Sequence, residues 1–271
     1  YFEGLVKISS NLDLNLEKEF IGKRVIVTGA SRGLGAMLCL VLAKKGAKIA
    51  MLSRSKKDMD TLKKSLKNSQ NHISIKVDLL KNNKIKLAIE RAKRFLKKID
   101  IVIHIAGGGL GLKDKLIKNE DLKKLLQINL GASVEINRLI VKNNPKKHPL
   151  KLVHVGSIAS SEAVGSIGYN ISKAALAAYV KSLGRELYHD KIIVTGILPG
   201  GFISPGNAME RFKNKNLKDY KKFIKTRIPR GIMGSANDIL PMLLFLCSKH
   251  ASMMGGCLVP IDAGESKAYQ I

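Results

Sequence analysis

Residues 24–54 read RVIVTGASRGLGAMLCLVLAKKGAKIAMLSR, and the order of features in this stretch decides the fold. Arg24–Thr28 is an unbroken apolar run, which suits a strand of a parallel sheet covered on both faces. Gly29, Gly33 and Gly35 then let the backbone turn tightly. An apolar helix pattern follows from about Leu34 to Lys45, Gly46 ends it, and Lys48–Leu52 reads as a second strand. Strand, glycine-rich turn, helix and strand make one right-handed crossover unit. The unpaired N–H groups and the dipole at that helix N-terminus favour an anion such as a pyrophosphate.

Outward from this unit the alternation continues. Helix patterns are predicted at about 55–68, 82–97, 119–143, 170–189 and 236–249, with strands at 72–77, 99–105, 151–155, 191–197 and 257–261. The expected fold class is α/β, a doubly wound parallel sheet of Rossmann type. Residues 22–271 are expected to form a single dinucleotide-binding domain after an N-terminal extension at 1–21. The charged segment at about 200–233 is broken by Pro205 and Pro229 and has weak helical patterns at 207–213 and 217–226. A loop of that length in a compact domain suits a substrate lid.

Composition narrows the class. The chain holds 48 Lys and Arg against 21 Asp and Glu, a formal charge of +27. The lysines are spread along the chain, with no zinc spacing, no Trp and few aromatics to serve as stacking platforms. A solvated basic exterior is therefore favoured over a specific nucleic-acid surface. No run reaches the roughly 18 apolar residues that span a bilayer. Cys39, Cys247 and Cys257 are odd in number and widely spaced, which suits reduced thiols. With no secretory signal pattern in the sequence, a cytoplasmic location is expected, and no metal site is read.

The end of the second strand selects the cofactor. Sites for NAD usually carry a carboxylate there for the ribose 2′-hydroxyl. This chain has Ser53 and Arg54, and Arg54 with Arg32 could clamp a 2′-phosphate through charge-assisted bonds. NADP(H) is the expected cofactor.

Further motifs follow in order. They are Val77-Asp78-Leu79, Ala106-Gly107, Asn129, Ser157, Tyr169-Asn-Ile-Ser-Lys173, Pro199-Gly200 and Asp262-Ala-Gly264. Together with the turn at 28–35 the chain resembles the short-chain dehydrogenase/reductase family from about Gly22 to Gly264. The resemblance implies an NADP(H)-dependent oxidoreductase with Asn129, Ser157, Tyr169 and Lys173 as catalytic residues. It implies cofactor contacts from Gly29, Ser31, Arg32, Gly33, Leu34, Gly35, Ser53, Arg54, Asp78, Leu79, Ala106, Gly107, Tyr169, Lys173, Pro199, Gly200, Phe202 and Ser204. Asp78 would meet the adenine, and Asn129 would anchor a water that relays protons through Lys173. Where the family has Asn-Ala-Gly this chain has Ile105-Ala-Gly, which puts one structural hydrogen bond in question. His104 reads as a packed strand residue.

The residue types agree with that chemistry. Tyr169 and Lys173 are four apart on a helix and share a face. A phenol with an ordinary pKa near 10 is a poor acid or base at neutrality. The Lys173 ammonium and an oxidised nicotinamide would lower it, and Ser157 would stabilise charge on the substrate oxygen. Taken singly, each residue has an ordinary structural reading: core aromatic, solvated cation, turn serine, buried cap.

Substrate contacts are expected from 108–115, 158–165 and the lid, with Glu162, Asn207, Glu210 and Arg211 as candidates. The chain is similar to 3-oxoacyl-carrier-protein reductases, whose acidic carrier would suit a basic surface. In the glycine run 107–111 and the lid entry Ser204-Pro-Gly-Asn207 it also resembles reductases of surface-polysaccharide and sugar metabolism, and with the polar lid that resemblance slightly favours a small-molecule sugar carbonyl. The long helices 119–143 and 170–189 resemble those that pair in family dimers and tetramers, which implies a homodimer or homotetramer. The rival readings are an NADP(H)-binding sensor without turnover and a protein recruited to anionic surfaces by charge.

Overall fold

The computed structural model describes residues 15–145 and 148–269, so most of the 1–21 extension lies outside the described residues. One seven-stranded parallel sheet organises the chain. It comprises β1 (Arg24–Thr28), β2 (Lys48–Ser53), β3 (His72–Lys76), β4 (Ile101–His104), β5 (Leu150–Val155), β6 (Ile192–Pro199) and β9 (Leu258–Ile261). Their order is β3-β2-β1-β4-β5-β6-β9. Strand order reverses at β1, which has β2 on one side and β4 on the other. In such sheets the crevice beyond the strands' carboxyl ends at the reversal is where ligands bind.

The apolar run of β1 is explained by its two buried faces. Val25 and Val27 point into the cluster containing Leu38 and Leu42 of α1 (Gly33–Lys44) and Leu243 of α9 (Ala236–Cys247). Ile26, between them, points into the opposite cluster with Ile85 and Ile89 of α3 (Asn82–Leu96), Ile136 of α5 (Ala132–Val141) and Val180 of α6 (Ile167–Glu186). Side chains alternate across a strand, so both sets must be apolar. The amphipathic α2 (Lys56–Ser65) buries Met59 alone on its sheet side and is capped by Ser55, which accepts from the Asp58 N–H. All three cysteines are free thiols, and burial pushes Cys247 up to about 12. Among the described residues no helix is long and apolar enough to cross a membrane.

Two features depart from the sequence expectations. The helix expected over 119–143 is instead α4 (Asn119–Leu126), a π-helical turn at Gln127–Gly131, and α5. The segment at 200–233 has an unforeseen clasp at its base. Phe202–Ile203 (β7) pairs in parallel with Gly234–Ser235 (β8), and between them stand α7 (Ala208–Lys215) and α8 (Leu217–Arg227).

His104 is a core residue, as its strand position suggests. It stacks on His154 of β5 with ring centroids 4.5 Å apart. The His104 Nε2 lies 2.8 Å from Asn137 Oδ1, and Asn137 Nδ2 lies 3.2 Å from His154 Nε2 and donates to Tyr179 Oη at 3.1 Å. Burial pushes His104 down to about 4 and His154 well below its usual range, so both rings are neutral at pH 7.

Candidate active site

The site grows from the carboxyl ends of β1, β4, β5 and β6. At β1 the chain turns through Gly29 into α1, whose N-cap position is Arg32. No side chain caps this helix, and no acidic residue stands in its first turn. The first-turn N–H groups of Gly33, Leu34 and Gly35 thus lack a side-chain acceptor, the condition under which a helix N-terminus takes up phosphate. Ser53 Oγ donates to Ser31 Oγ at 2.8 Å, tying the turn to the end of β2. Arg32 and Arg54 are both exposed, and neither forms an ion pair among the described residues. These groups fit a dinucleotide with an extra phosphate on its adenosine ribose.

Gly35 is where this cradle is tightest. A β-carbon there would collide with the Gly29 carbonyl oxygen and lie 3.1 Å from Ala30 Cα, both backbone atoms that cannot turn aside. Gly35→Ala is expected to weaken dinucleotide binding by at least about tenfold and to destabilise the fold by about 2 kcal/mol, the usual cost of overpacking. Fluorescence titration and thermal melting check both numbers, and unchanged binding would refute the cradle.

Sequence reasoning missed Thr28. Its Oγ1 accepts from the N–H groups of Ile105 and Ala106 at 3.1 and 3.2 Å, holding the end of β4 to β1. These bonds use backbone N–H groups, so the junction of β1 and β4 does not depend on an amide side chain at position 105. The signal was available, since Thr28 is the polar end of an otherwise apolar strand. Asp78 closes a turn by accepting from the Leu80 N–H at 3.1 Å, with Leu79 buried beside it. Gly200 donates to the Ile261 carbonyl at 3.1 Å. Phe202 is half-buried in β7, and buried Ser204 comes up to Gly33 at the start of α1. The lid therefore begins against the glycine turn.

The four catalytic candidates fall into one neighbourhood. Asn129 is buried in the π-helical turn. Its Nδ2 donates to the carbonyls of Leu125 and Gly108 at 3.0 and 3.1 Å, and its Oδ1 accepts from the Gly108 N–H at 2.8 Å. Widening the helix by one residue per turn moves Asn129 out of the 3.6-residue pattern and onto the glycine loop. A β-carbon at Gly107 would lie 2.7 Å from Asn129 Oδ1, too close, and 3.5 Å from Lys173 Nζ, an ordinary contact, so glycine here leaves Asn129 its space.

Ser157 follows β5 and caps a short 3-10 turn, its Oγ accepting from the Ala159 N–H at 3.2 Å. Its hydroxyl proton is left to donate elsewhere. Tyr169 and Lys173 stand on one face of α6, the Lys173 Nζ being 5.7 Å from the Tyr169 ring centroid. That ammonium is buried and donates to the Val155 carbonyl at 2.9 Å, while Ser160 Oγ donates to the Lys173 carbonyl.

The electrostatics differ from the sequence expectation in one respect. Burial raises the Tyr169 phenol, and the Ser157 hydroxyl offsets part of that rise. Lys173 does not lower it in the protein alone, because its Nζ sits over the ring face and is hydrogen-bonded to Val155. Burial brings Lys173 itself down to about 8. Both groups are thus held in a desolvated pocket that penalises charge.

The substrate-contact candidates all make hydrogen bonds within the protein. Asn207 caps α7, accepting from the Glu210 N–H and donating to the Phe202 carbonyl. Glu210 accepts from the Gly206 N–H, and Arg211 donates to the Gly206 carbonyl. Glu162 accepts from the Lys267 N–H at 3.3 Å. A second residue that sequence reading overlooked is Glu265, a buried carboxylate accepting from the Gly201 N–H.

Comparison with known proteins agrees with this architecture. A sequence model of the short chain dehydrogenase family matches residues 23–216. A 3-oxoacyl-[acyl-carrier-protein] reductase of Buchnera aphidicola subsp. Baizongia pistaciae is 30% identical over 247 residues, covering 89% of this chain and 96% of that protein. The fold is shared with the L-sorbose reductase of Gluconobacter frateurii, solved with NADPH and L-sorbose. That structure has a TM-score of 0.83 and 24% identity, covering 93% of this chain and all of the other. A 3-oxoacyl (acyl-carrier-protein) reductase of Agrobacterium tumefaciens C58 with NADP bound also has a TM-score of 0.83, at 22% identity, covering 93% of this chain and 98% of the other. With its family's seven-stranded sheet and a match running from the first strand into the lid, the chain belongs to the short-chain dehydrogenase family of oxidoreductases.

Proposed function

We propose that this protein is an NADP(H)-dependent reductase that interconverts a carbonyl and a secondary alcohol on a sugar or sugar-derived metabolite. The observation that carries the reading is the meeting of Asn129, Ser157, Tyr169 and Lys173 beside the glycine loop 107–111, with Asn129 and Lys173 both bordering Gly107. When bound, the nicotinamide supplies the hydride that reduces the carbonyl carbon, or takes it in the reverse direction.

The protein's own part is proton transfer and orientation. In reduction Tyr169 Oη gives its proton to the carbonyl oxygen as the new C–H bond forms. Ser157 donates a hydrogen bond to the same oxygen and stabilises the charge developing there. Lys173 holds the nicotinamide ribose hydroxyls and offers the ammonium through which the phenolate regains a proton. Asn129 holds the Gly108 backbone, and with it the loop that borders the reacting atoms. Thr28 keeps that loop's root against β1.

NADP(H) preference is supported by Arg32 and Arg54, both exposed and without ion pairs among the described residues, and by the lack of a carboxylate at the end of β2. A charge-assisted bond contributes about 1.5–3 kcal/mol. Arg54→Ala is therefore expected to weaken NADPH binding roughly 10- to 100-fold while leaving NADH binding within about threefold. Paired fluorescence titrations at moderate salt test this, and equal losses for both cofactors would refute the clamp.

A second substrate reading is a 3-oxoacyl thioester on an acidic carrier protein. It is favoured by the Buchnera relative and by the +27 charge. The L-sorbose reductase likeness supports the sugar reading. Steady-state reduction of an acetoacetyl thioester against a panel of keto sugars separates the two. A homodimer or homotetramer is supported by Val134 on α5 and by Ile167 and Ile171 on α6, apolar side chains exposed on adjacent helices.

A further inference from the structure

A cavity of about 560 Å³ opens between the lid helix α8 and the C-terminal segment, apart from the glycine turn. Lys221, Lys225 and Arg227 line it from α8, Lys267 lines it from the C-terminal side, and Glu265 stands at its base. Lys221 and Lys225 are one helical turn apart, an arrangement of like charges that is unfavourable by itself. None of the three lysines forms an ion pair among the described residues. Arg227 stops 3.6 Å from Glu265, beyond hydrogen-bond reach, and its buried Nη2 makes no hydrogen bond. The nearby carboxylates are engaged by backbone N–H groups, Glu265 by Gly201, Glu162 by Lys267 and Asp262 by Gly264 and Ser266. Three lysines without ion pairs among the described residues therefore rim a concavity whose base holds the long Arg227–Glu265 pair.

The cavity is tied to the substrate side of the site at two points. Glu265 holds Gly201, directly after the Pro199-Gly200 segment, and Glu162, five residues beyond Ser157, holds the Lys267 N–H. An anion bridging α8 and the C-terminal segment would draw the lid toward those two loops.

We propose that this cavity binds a phosphate group carried by the substrate, so that Lys221, Lys225, Arg227 and Lys267 select phosphorylated carbonyl compounds. The assignment rests on the reductase reading above. Ile224 supplies an apolar wall for the arm that joins phosphate to carbonyl.

The first test is calorimetric titration of the NADPH-saturated protein with inorganic pyrophosphate, which keeps the cofactor's own phosphate sites filled. One site is expected, and Lys221→Ala/Lys225→Ala/Lys267→Ala should weaken it by at least about tenfold, from the loss of three cationic partners. The triple variant's melting temperature and NADPH affinity should match the wild type. Absent binding, or binding unchanged in the variant, would overturn the proposal. The second test compares acetoacetyl-coenzyme A, which bears phosphates, with the phosphate-free acetoacetyl N-acetylcysteamine. The triple variant should lose about tenfold in kcat/KM on the first only, and pyrophosphate should inhibit the first competitively. Non-competitive inhibition would mean a free phosphate effector and overturn the substrate assignment. If neither thioester turns over, that reduction fails as a reading of the enzyme, and the pyrophosphate titration still decides the cavity.

Discussion

Tyr169→Phe is expected to lower kcat by about 10²- to 10⁴-fold, the range for loss of a positioned general acid. NADPH should still bind within about threefold of wild type. The exchange removes one oxygen and keeps the ring that lies under the Lys173 ammonium. The phenol is buried and its ionisation is disfavoured in the protein alone, so the wild-type pocket already tolerates an uncharged side chain there. Folding should therefore survive and turnover should not. Single-turnover measurement with NADPH under saturating carbonyl isolates the chemical step. Retention of more than a few per cent of the wild-type rate would remove Tyr169 from the role of proton donor.

Replacing Lys173 with Met should move stability and activity in opposite directions. Burial lowers this lysine from 10.5 to about 8. Below pH 8 the folded protein holds a charged ammonium that its surroundings disfavour, at a cost of about 3 kcal/mol at most. Between about pH 8 and 10.5 the unfolded chain keeps a proton that the folded chain has lost, so wild-type stability rises with pH across that window. Lys173→Met removes the penalty and gives up one hydrogen bond to Val155, worth about 1 kcal/mol. The cofactor-free variant should melt roughly 4–8 °C higher at pH 7, from a net gain of about 2 kcal/mol, and should lack the alkaline rise. Its turnover should fall by about 10³-fold. A variant that melts lower at pH 7 would show that the buried ammonium stabilises the fold, and the trade-off would be absent.

Much of the fold was legible because burial on both sheet faces leaves a plain mark in sequence. Arg24–Thr28 could only be a covered strand, and the helix after it carries its glycines where backbone meets backbone. The π-helical turn was not legible. The apolar rhythm of 119–143 passes through Gln127–Gly131 without a break, and the extra residue in the turn shows only in where Asn129 points. The β7–β8 clasp escaped notice because a pair of two-residue strands has no periodicity to detect. The hydrogen bonds that Asn207, Glu210 and Arg211 make at the start of α7 were not legible, because a polar residue that caps a helix has the same sequence signature as one that meets a ligand. The residues proposed for catalysis were picked out by spacing and order. The direction of the Tyr169 shift was not, since it depends on desolvation.

The β7–β8 pairing brings Phe202–Ile203 and Gly234–Ser235 side by side, so the stretch between them leaves and returns at a fixed point. Closing such a loop grows costlier only slowly with length, by about 0.6 kcal/mol for each doubling. Helices 208–215 and 217–227 can therefore be exchanged, lengthened or shortened as a cassette without disturbing the anchorage of Ser157, Tyr169 and Lys173 in β5 and α6. Grafting a relative's segment between the two clasp strands is expected to leave the reacting centre unchanged, and a shift in substrate preference would show that this segment selects the substrate.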